Sequence, residues 1–127
     1  MDTSKSHVLP IWDVKMKKLV FIALLSVSSV SDAAFFTGND LYTKYQSYER
    51  ITNGTGSSDD YGNASEYMGY VTAIWDMLES NQICTSNVIT RGQINDIIGQ
   101  GLQNNPQMRG QNANQLVTYY LTKAFPC

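Results

Sequence analysis

Downstream of residue 33, apolar side chains recur every three or four positions in four stretches of the chain. This spacing keeps one face of an α-helix apolar, so each stretch is predicted to be an amphipathic helix packed on a core. The predicted fold is therefore all-α, a compact bundle of about four helices. The apolar positions are Leu41, Tyr45 and Tyr48 in the first stretch, Tyr67, Met68, Val71, Ile74, Trp75 and Leu78 in the second, Ile94, Ile97, Ile98, Gly101 and Leu102 in the third, and Ala113, Leu116, Val117, Tyr120, Leu121 and Ala124 in the fourth.

Capping residues and prolines indicate where these helices begin and end. Thr37 or Asn39 can cap the first helix, which we expect to end around Arg50. The second is expected over about residues 64–79. Thr90 with Gln93 forms a capping-box signature for the third, which the segment 104–106 closes, and Pro126 stops the fourth.

Residues 52–63 separate the first two predicted helices and consist almost entirely of Gly, Ser, Thr, Asn and Asp. Such a composition offers little to a helix or a core. We predict that this segment is the longest loop of the domain.

Residues 1–33 have the pattern of a cleaved secretory signal peptide. Residues 16–18 form a short basic region, residues 19–25 are continuously apolar, and small residues at Ser31 and Ala33 favour cleavage after Ala33. The true start is expected near Met16. The alternative, a permanent membrane anchor, would need an apolar run of roughly 18 residues or more. Residues 34–127 are then a single exported helical domain, and the expected location is the bacterial periplasm.

The charge of the predicted mature chain argues against two classes of partner. Residues 34–127 carry five basic and eight acidic side chains, a net charge of −3, without a basic patch. Nucleic acid and anionic membranes are poor partners for such a surface.

Histidine is absent from the predicted mature chain, since His7 is the only one in the sequence. Nucleophilic catalysis with an imidazole base and His-ligated zinc are thereby excluded. A paired-carboxylate hydrolase stays formally open, because Glu66, Asp76 and Glu79 share a region. Exposed charges on one helix face are usually only solvated, so we do not expect an enzyme.

The two cysteines of the chain, Cys84 and Cys127, flank the last two predicted helices. An antiparallel helical hairpin brings those two ends together, and an oxidising compartment preserves the resulting disulfide. Closing a loop of roughly 44 residues would stabilise the domain by about 4 kcal/mol in the chain-entropy model. Free thiols or intermolecular bridges are the alternatives.

Several short segments recur in the order and spacing of a known family. They are TGNDL at residues 37–41, GYV at 69–71, Cys84 followed by TRGQ at 90–93, NP at 105–106 and AFPC at 124–127. Together they resemble the Rap/Tai family of immunity proteins, over nearly all of residues 34–127. Members of that family protect a bacterium against cell-wall amidase effectors that type VI secretion systems inject.

The chain departs from the family pattern at two positions. Many members carry a second cysteine pair where this sequence has Tyr45 and Tyr67. Both partners are changed together, so no thiol is left unpaired. Two aromatic rings could pack where a bridge would lie, and such a pair contributes on the order of 1 kcal/mol beyond burial.

The resemblance implies a periplasmic homodimer that inhibits by occlusion. Its partner would be a cognate cell-wall amidase effector, whose cysteine-histidine cleft it shields from peptidoglycan. It would have no catalytic activity, no cofactor and no metal. Neither nucleic acid nor, after signal cleavage, a membrane would be a partner.

Two segments have a composition that suits the binding of such an effector. In the predicted loop, glycines allow unusual backbone angles, Asn53 can hydrogen-bond, Asp59 and Asp60 suit a cationic site, and Tyr61 can anchor in a pocket. The alternative is a flexible connector. The second candidate is the linker at residues 103–112, where an exposed Met108 and Arg109 could serve an interface; its alternative is an ordinary solvated linker.

A function of another class also fits a small helical periplasmic protein with one disulfide. An acid-stress chaperone needs a fold that loosens at low pH, and eight carboxylates could provide that by protonation. The segment order described above and the few lysines favour an immunity protein.

Overall fold

Four α-helices and a short 3-10 helix make up most of residues 35–127, which are the residues that this computed structural model describes. The predicted signal peptide, residues 1–33, lies outside the described residues. The helices are α1 (Gly38–Thr52), α2 (Ser58–Leu78), α3 (Arg91–Asn104) and α4 (Ala113–Ala124), with the 3-10 helix (Pro106–Met108) between α3 and α4. The all-α prediction is confirmed, and the β-structure within this range is a single bridge between Thr37 and Asn112.

The first three of these helices begin with a capping box, in which a cap hydroxyl accepts from the N3 backbone amide while the N3 side chain accepts from the cap amide. The pairs are Thr37 with Asp40, Ser57 with Asp60 and Thr90 with Gln93. The predicted caps at Thr37 and Thr90 are confirmed. The box partner of Thr37 and the whole box at Ser57 were not predicted.

The prediction of a loop over residues 52–63 was wrong, because α2 begins at Ser58 and only residues 53–57 connect it to α1. Ser57 caps α2, and its amide donates to the carboxylate of Asp60 at 2.9 Å. Gly54 has a φ of 76°, a left-handed conformation that favours glycine, and it turns the chain after α1. Within the described residues the longest connection between helices is 79–90, between α2 and α3.

The core lies between the apolar faces of all four helices. Every helix contributes buried residues from the predicted set, and α1 packs most extensively on α2. Met68, Ile74, Ile97 and Gly101 are only half-buried. Ala124 was predicted to be in the core but is exposed, because α4 ends there and Phe125 covers Trp75 instead, with their rings edge to face at 5.3 Å.

A disulfide joins Cys84 to Cys127, as predicted, with their Cα atoms 4.8 Å apart. Beside it the amide of Cys84 donates to the carbonyl of Phe125 at 3.0 Å. The bridge and this hydrogen bond hold the end of the chain against the connection between α2 and α3.

The expected contact between Tyr45 and Tyr67 is confirmed, since their rings lie 5.4 Å apart between α1 and α2. Tyr48 packs on both rings. The Tyr67 hydroxyl donates to the carbonyl of Asn95 in α3 at 2.6 Å, and burial raises the pKa of this phenol. The three tyrosines therefore tie α1, α2 and α3 together.

No helix in the described range 35–127 has both the length and the apolar character that crossing a membrane requires.

Candidate partner-binding surfaces

The first surface, which we call the hairpin tip, consists of residues 53–61, where α1 ends and α2 begins. Asn53 is exposed and closes α1, with its amide donating to the carbonyl of Glu49 at 2.9 Å. Asp59 is also exposed, and Tyr61 has 62% of its surface accessible. These three predicted binding residues therefore lie on the surface at the end of the hairpin formed by α1 and α2.

Asp60, the fourth predicted binding residue at the tip, is buried and directed toward α1. Its Oδ1 accepts from Ser47 Oγ at 2.8 Å and from Arg50 Nη2 at 2.7 Å, while its Oδ2 accepts from Arg50 Nε at 3.1 Å. The Arg50 guanidinium, the Ser57 amide and the Ser47 hydroxyl hold the pKa of the Asp60 carboxyl well below its usual range. Paired hydrogen bonds between a guanidinium and a carboxylate are geometrically specific, so this contact fixes the first turn of α2 on α1.

The tip thus has an internal carboxylate and an external face. Asp59 and Tyr61 flank Asp60 in the first turn of α2, and the ion pair to Arg50 determines where both are presented. A segment that is already rigid loses little conformational entropy on binding. Chemically, the external face offers one free carboxylate, one aromatic ring and the amide side chain of Asn53.

The second surface, residues 105–112, is anchored to the beginning of α1. The amide of Asn39 donates to the carbonyl of Arg109 and the amide of Gly38 to the carbonyl of Gln111, both at 2.8 Å. The two segments approach so closely that a Cβ at position 38 would lie 2.8 Å from the Cα of Arg109. This linker is therefore a fixed part of the fold.

Met108 and Arg109 were predicted to be exposed, but both are half-buried. Met108 packs against the core. The guanidinium carbon of Arg109 lies 4.1 Å from the centre of the Tyr42 ring in α1, a cation–π geometry. A contact between residues so distant in the chain has no local signal in the sequence.

The structure does not bring the two surfaces together. The hairpin tip lies at the C-terminal end of α1 and residues 105–112 lie at its N-terminal end. A helix of 15 residues is about 22 Å long. One partner would have to span α1 to contact both surfaces.

The carboxylates considered for a hydrolase have other surroundings. Glu66 forms an ion pair with Lys44 of α1, which links α1 to α2. Asp76 and Glu79 are exposed near the end of α2. Within residues 35–127 no group of three or more His, Cys, Asp or Glu side chains is placed to hold a metal ion.

Sequence reasoning missed Ser47 and Arg50, which hold Asp60. A signal was present, because Ser57 followed by Asp60 three positions later has the spacing of a capping box. That spacing predicts the start of a helix at Ser58, although it indicates neither the burial of Asp60 nor its partners in α1.

The family model of Rap1a immunity proteins matches residues 37–127, from the cap of α1 to the disulfide-bonded end of the chain. The chain belongs to this family. Membership in the Rap1a immunity proteins implies binding of a cognate effector and favours this function over that of a chaperone. None of the curated proteins matches the chain at a significant level.

Proposed function

We propose that this Rap1a immunity protein acts in the periplasm, where it binds a peptidoglycan amidase delivered by a type VI secretion system and covers its active-site cleft. The protein contributes no chemistry of its own. It protects the producing cell and its kin by preventing the amidase from reaching the cell wall.

The family match over residues 37–127 is the observation that carries this proposal. The resemblance to Rap/Tai relatives supports the choice of an amidase as the effector and of a homodimer as the acting form. The signal pattern of residues 1–33 supports export to the compartment that contains peptidoglycan.

We propose the hairpin tip as the element that enters the cleft. It is narrow, because two helix ends and a five-residue turn form it, and the buried Asp60 keeps it rigid. Tyr61 would fill a pocket, since exposed tyrosines are frequent hot spots of interfaces. Asn53 and Asp59 would hydrogen-bond at its rim, and Met108 and Arg109 would form a second contact.

A search of the neighbouring genes for a small Cys-His amidase, followed by co-expression of that amidase with this protein, tests the function. We expect a stable complex, loss of peptidoglycan hydrolysis by the amidase, and a homodimer by light scattering. Full amidase activity in the presence of excess protein would contradict the proposal. Hydrolysis of peptidoglycan by the protein alone would contradict it as well.

A pair of double variants tests the surface. Asp59→Ala with Tyr61→Ala removes two exposed side chains of the tip, and we expect at least about tenfold weaker binding of the amidase. Asp76→Ala with Tyr119→Ala is the matched control, because it removes the same residue types from exposed positions elsewhere. Equal affinities of the two double variants would exclude the hairpin tip as the principal contact.

A further inference from the structure

Arg109 has no charged partner among the described residues. The ion pairs found within residues 35–127 are Lys44 with Glu66 and Arg50 with Asp60. The Nε of Arg109 is buried without a hydrogen-bond partner in this part of the chain. Leaving a buried donor of a charged group unpaired is unfavourable, so the contacts of Arg109 within this part of the chain do not satisfy its hydrogen-bonding capacity.

Both the side chain and the backbone of Arg109 are held in place. Tyr42 supports one face of the guanidinium at 4.1 Å. Its backbone is held as well, since the Arg109 amide donates to the carbonyl of Pro106 at 3.3 Å and its carbonyl accepts from the amide of Asn39. A half-buried arginine held in this way loses little side-chain entropy when it binds a ligand.

We propose that Arg109, stacked on Tyr42, is a carboxylate-binding site that receives an aspartate or glutamate side chain of the bound partner. That the partner is the effector rests on the proposed function, whereas the affinity for a carboxylate does not. With Nε buried, the donors left for a ligand are the two terminal Nη groups, which match the two oxygens of a carboxylate.

The net charge of the domain favours a single carboxylate over a polyanion. The domain has a net charge of −3, and a polyphosphate or nucleic acid would be repelled by the molecule as a whole. A single carboxylate needs only one pair of parallel N–H donors. The site requires arginine, because a lysine has no planar group to stack on the Tyr42 ring and no pair of parallel N–H donors.

The first test requires no effector. In NMR spectra of the purified protein, the Nε–H signal of Arg109 is followed while sodium acetate replaces sodium chloride at constant ionic strength. We expect a saturable shift of this signal and a much smaller one for Arg91, which is exposed at the start of α3 and serves as the internal control. Equal shifts of the two arginines, or no shift at Arg109, would overturn the proposal.

The second test uses the amidase complex. We expect Arg109→Ala and Arg109→Lys to weaken binding by at least about tenfold, with Tyr42→Phe close to wild type and Tyr42→Leu weaker. Arg91→Ala should bind normally, and unchanged circular dichroism would show that the variants are folded. Binding of Arg109→Ala within twofold of wild type would place the carboxylate of the partner elsewhere. Should wild type itself form no complex, the proposed function fails, and the acetate titration still decides the site.

Discussion

Two helical glycines show how strongly the effect of one methyl group depends on its surroundings. In α3, a Cβ at Gly99 would lie 2.0 Å from the Tyr45 ring, whereas nothing lies within 4 Å of a Cβ at Gly69 in α2. We expect Gly99→Ala to lower the free energy of unfolding by about 1–3 kcal/mol, because the tyrosine cluster cannot give way. Gly69→Ala should raise it by about 0.5–1 kcal/mol, because alanine is the better helix former. Urea denaturation measures both.

Gly69→Ala also serves as the control for helix propensity in this pair. If Gly99→Ala and Gly69→Ala had the same urea midpoint, the Tyr45 ring would not occupy the space beside α3. Combining Gly99→Ala with Tyr45→Leu should recover part of the lost stability if the clash with the ring is its cause.

Adjacent aspartates at the hairpin tip should respond very differently to the same substitution. Asp60→Asn removes the charge that Arg50 and Ser47 surround, so it leaves a guanidinium without its counterion and should lower the urea midpoint clearly. Asp59→Asn changes an exposed side chain and should alter stability by less than about 0.5 kcal/mol. Equal midpoints for the two variants would show that the ion pair contributes nothing to the fold.

At the level of whole elements, the contact between α1 and α2 should make stability depend on pH. The folded-state pKa of Asp60 is lowered by Arg50, and that of Asp40 by the amide and hydroxyl of Thr37. In the unfolded chain both carboxyls have the usual pKa of about 4, so the unfolded state binds protons first as pH falls. These two groups should therefore make their full contribution to the free energy of unfolding above about pH 5. The free energy of unfolding should decrease as the pH falls below about 4.

Urea denaturation of wild type and Asp60→Asn at a series of pH values checks this dependence. The acid-side slope should be smaller in Asp60→Asn, because one of the two carboxyls with a lowered pKa has been removed. The same slope in both proteins would mean that other carboxyls dominate the acid response.

The helices were predictable from the sequence to the extent that their signals are local. The cap candidate Thr37 and the capping box at Thr90 placed the beginnings of α1 and α3, and the apolar spacing identified the core faces. The beginning of α2 was missed because residues 58–63 have a turn-like composition and become helical through a cap and a tertiary ion pair. Amino-acid composition indicates only the local conformational preference of a segment. Here the ion pair between Arg50 of α1 and Asp60 outweighs that preference.

The candidate binding surfaces were predictable only in part, for the same reason. Exposure of Asn53, Asp59 and Tyr61 was foreseen, since polar residues near a turn usually face water. The inward carboxylate of Asp60 and the stacking of Arg109 on Tyr42 depend on how α1 meets α2 and residues 105–112. Neither contact follows from a pattern along the chain.

For the whole molecule, two kinds of link hold the helices together, and they act on different halves of the domain. The cluster of Tyr45, Tyr48 and Tyr67 joins α1 to α2 and reaches α3 through the carbonyl of Asn95. The disulfide closes the segment from Cys84 to Cys127, which contains α3 and α4. The apolar core packs all four helices together in both redox states, and the disulfide adds a constraint to the C-terminal half only when it is oxidised.

Replacing both cysteines by alanine should therefore destabilise the protein without changing its native fold. With a sequence separation of 43, the bridge restricts the unfolded chain by about 4 kcal/mol. Small domains are stable by about 5–15 kcal/mol in total, so Cys84→Ala with Cys127→Ala should keep the helical signal at low temperature and unfold at much lower urea. Dithiothreitol should shift the wild type to the midpoint of this variant and leave the variant unchanged. Equal midpoints of oxidised wild type and variant would show that the bridge does not stabilise the fold, and an unfolded variant would show that the core cannot maintain the fold without the bridge.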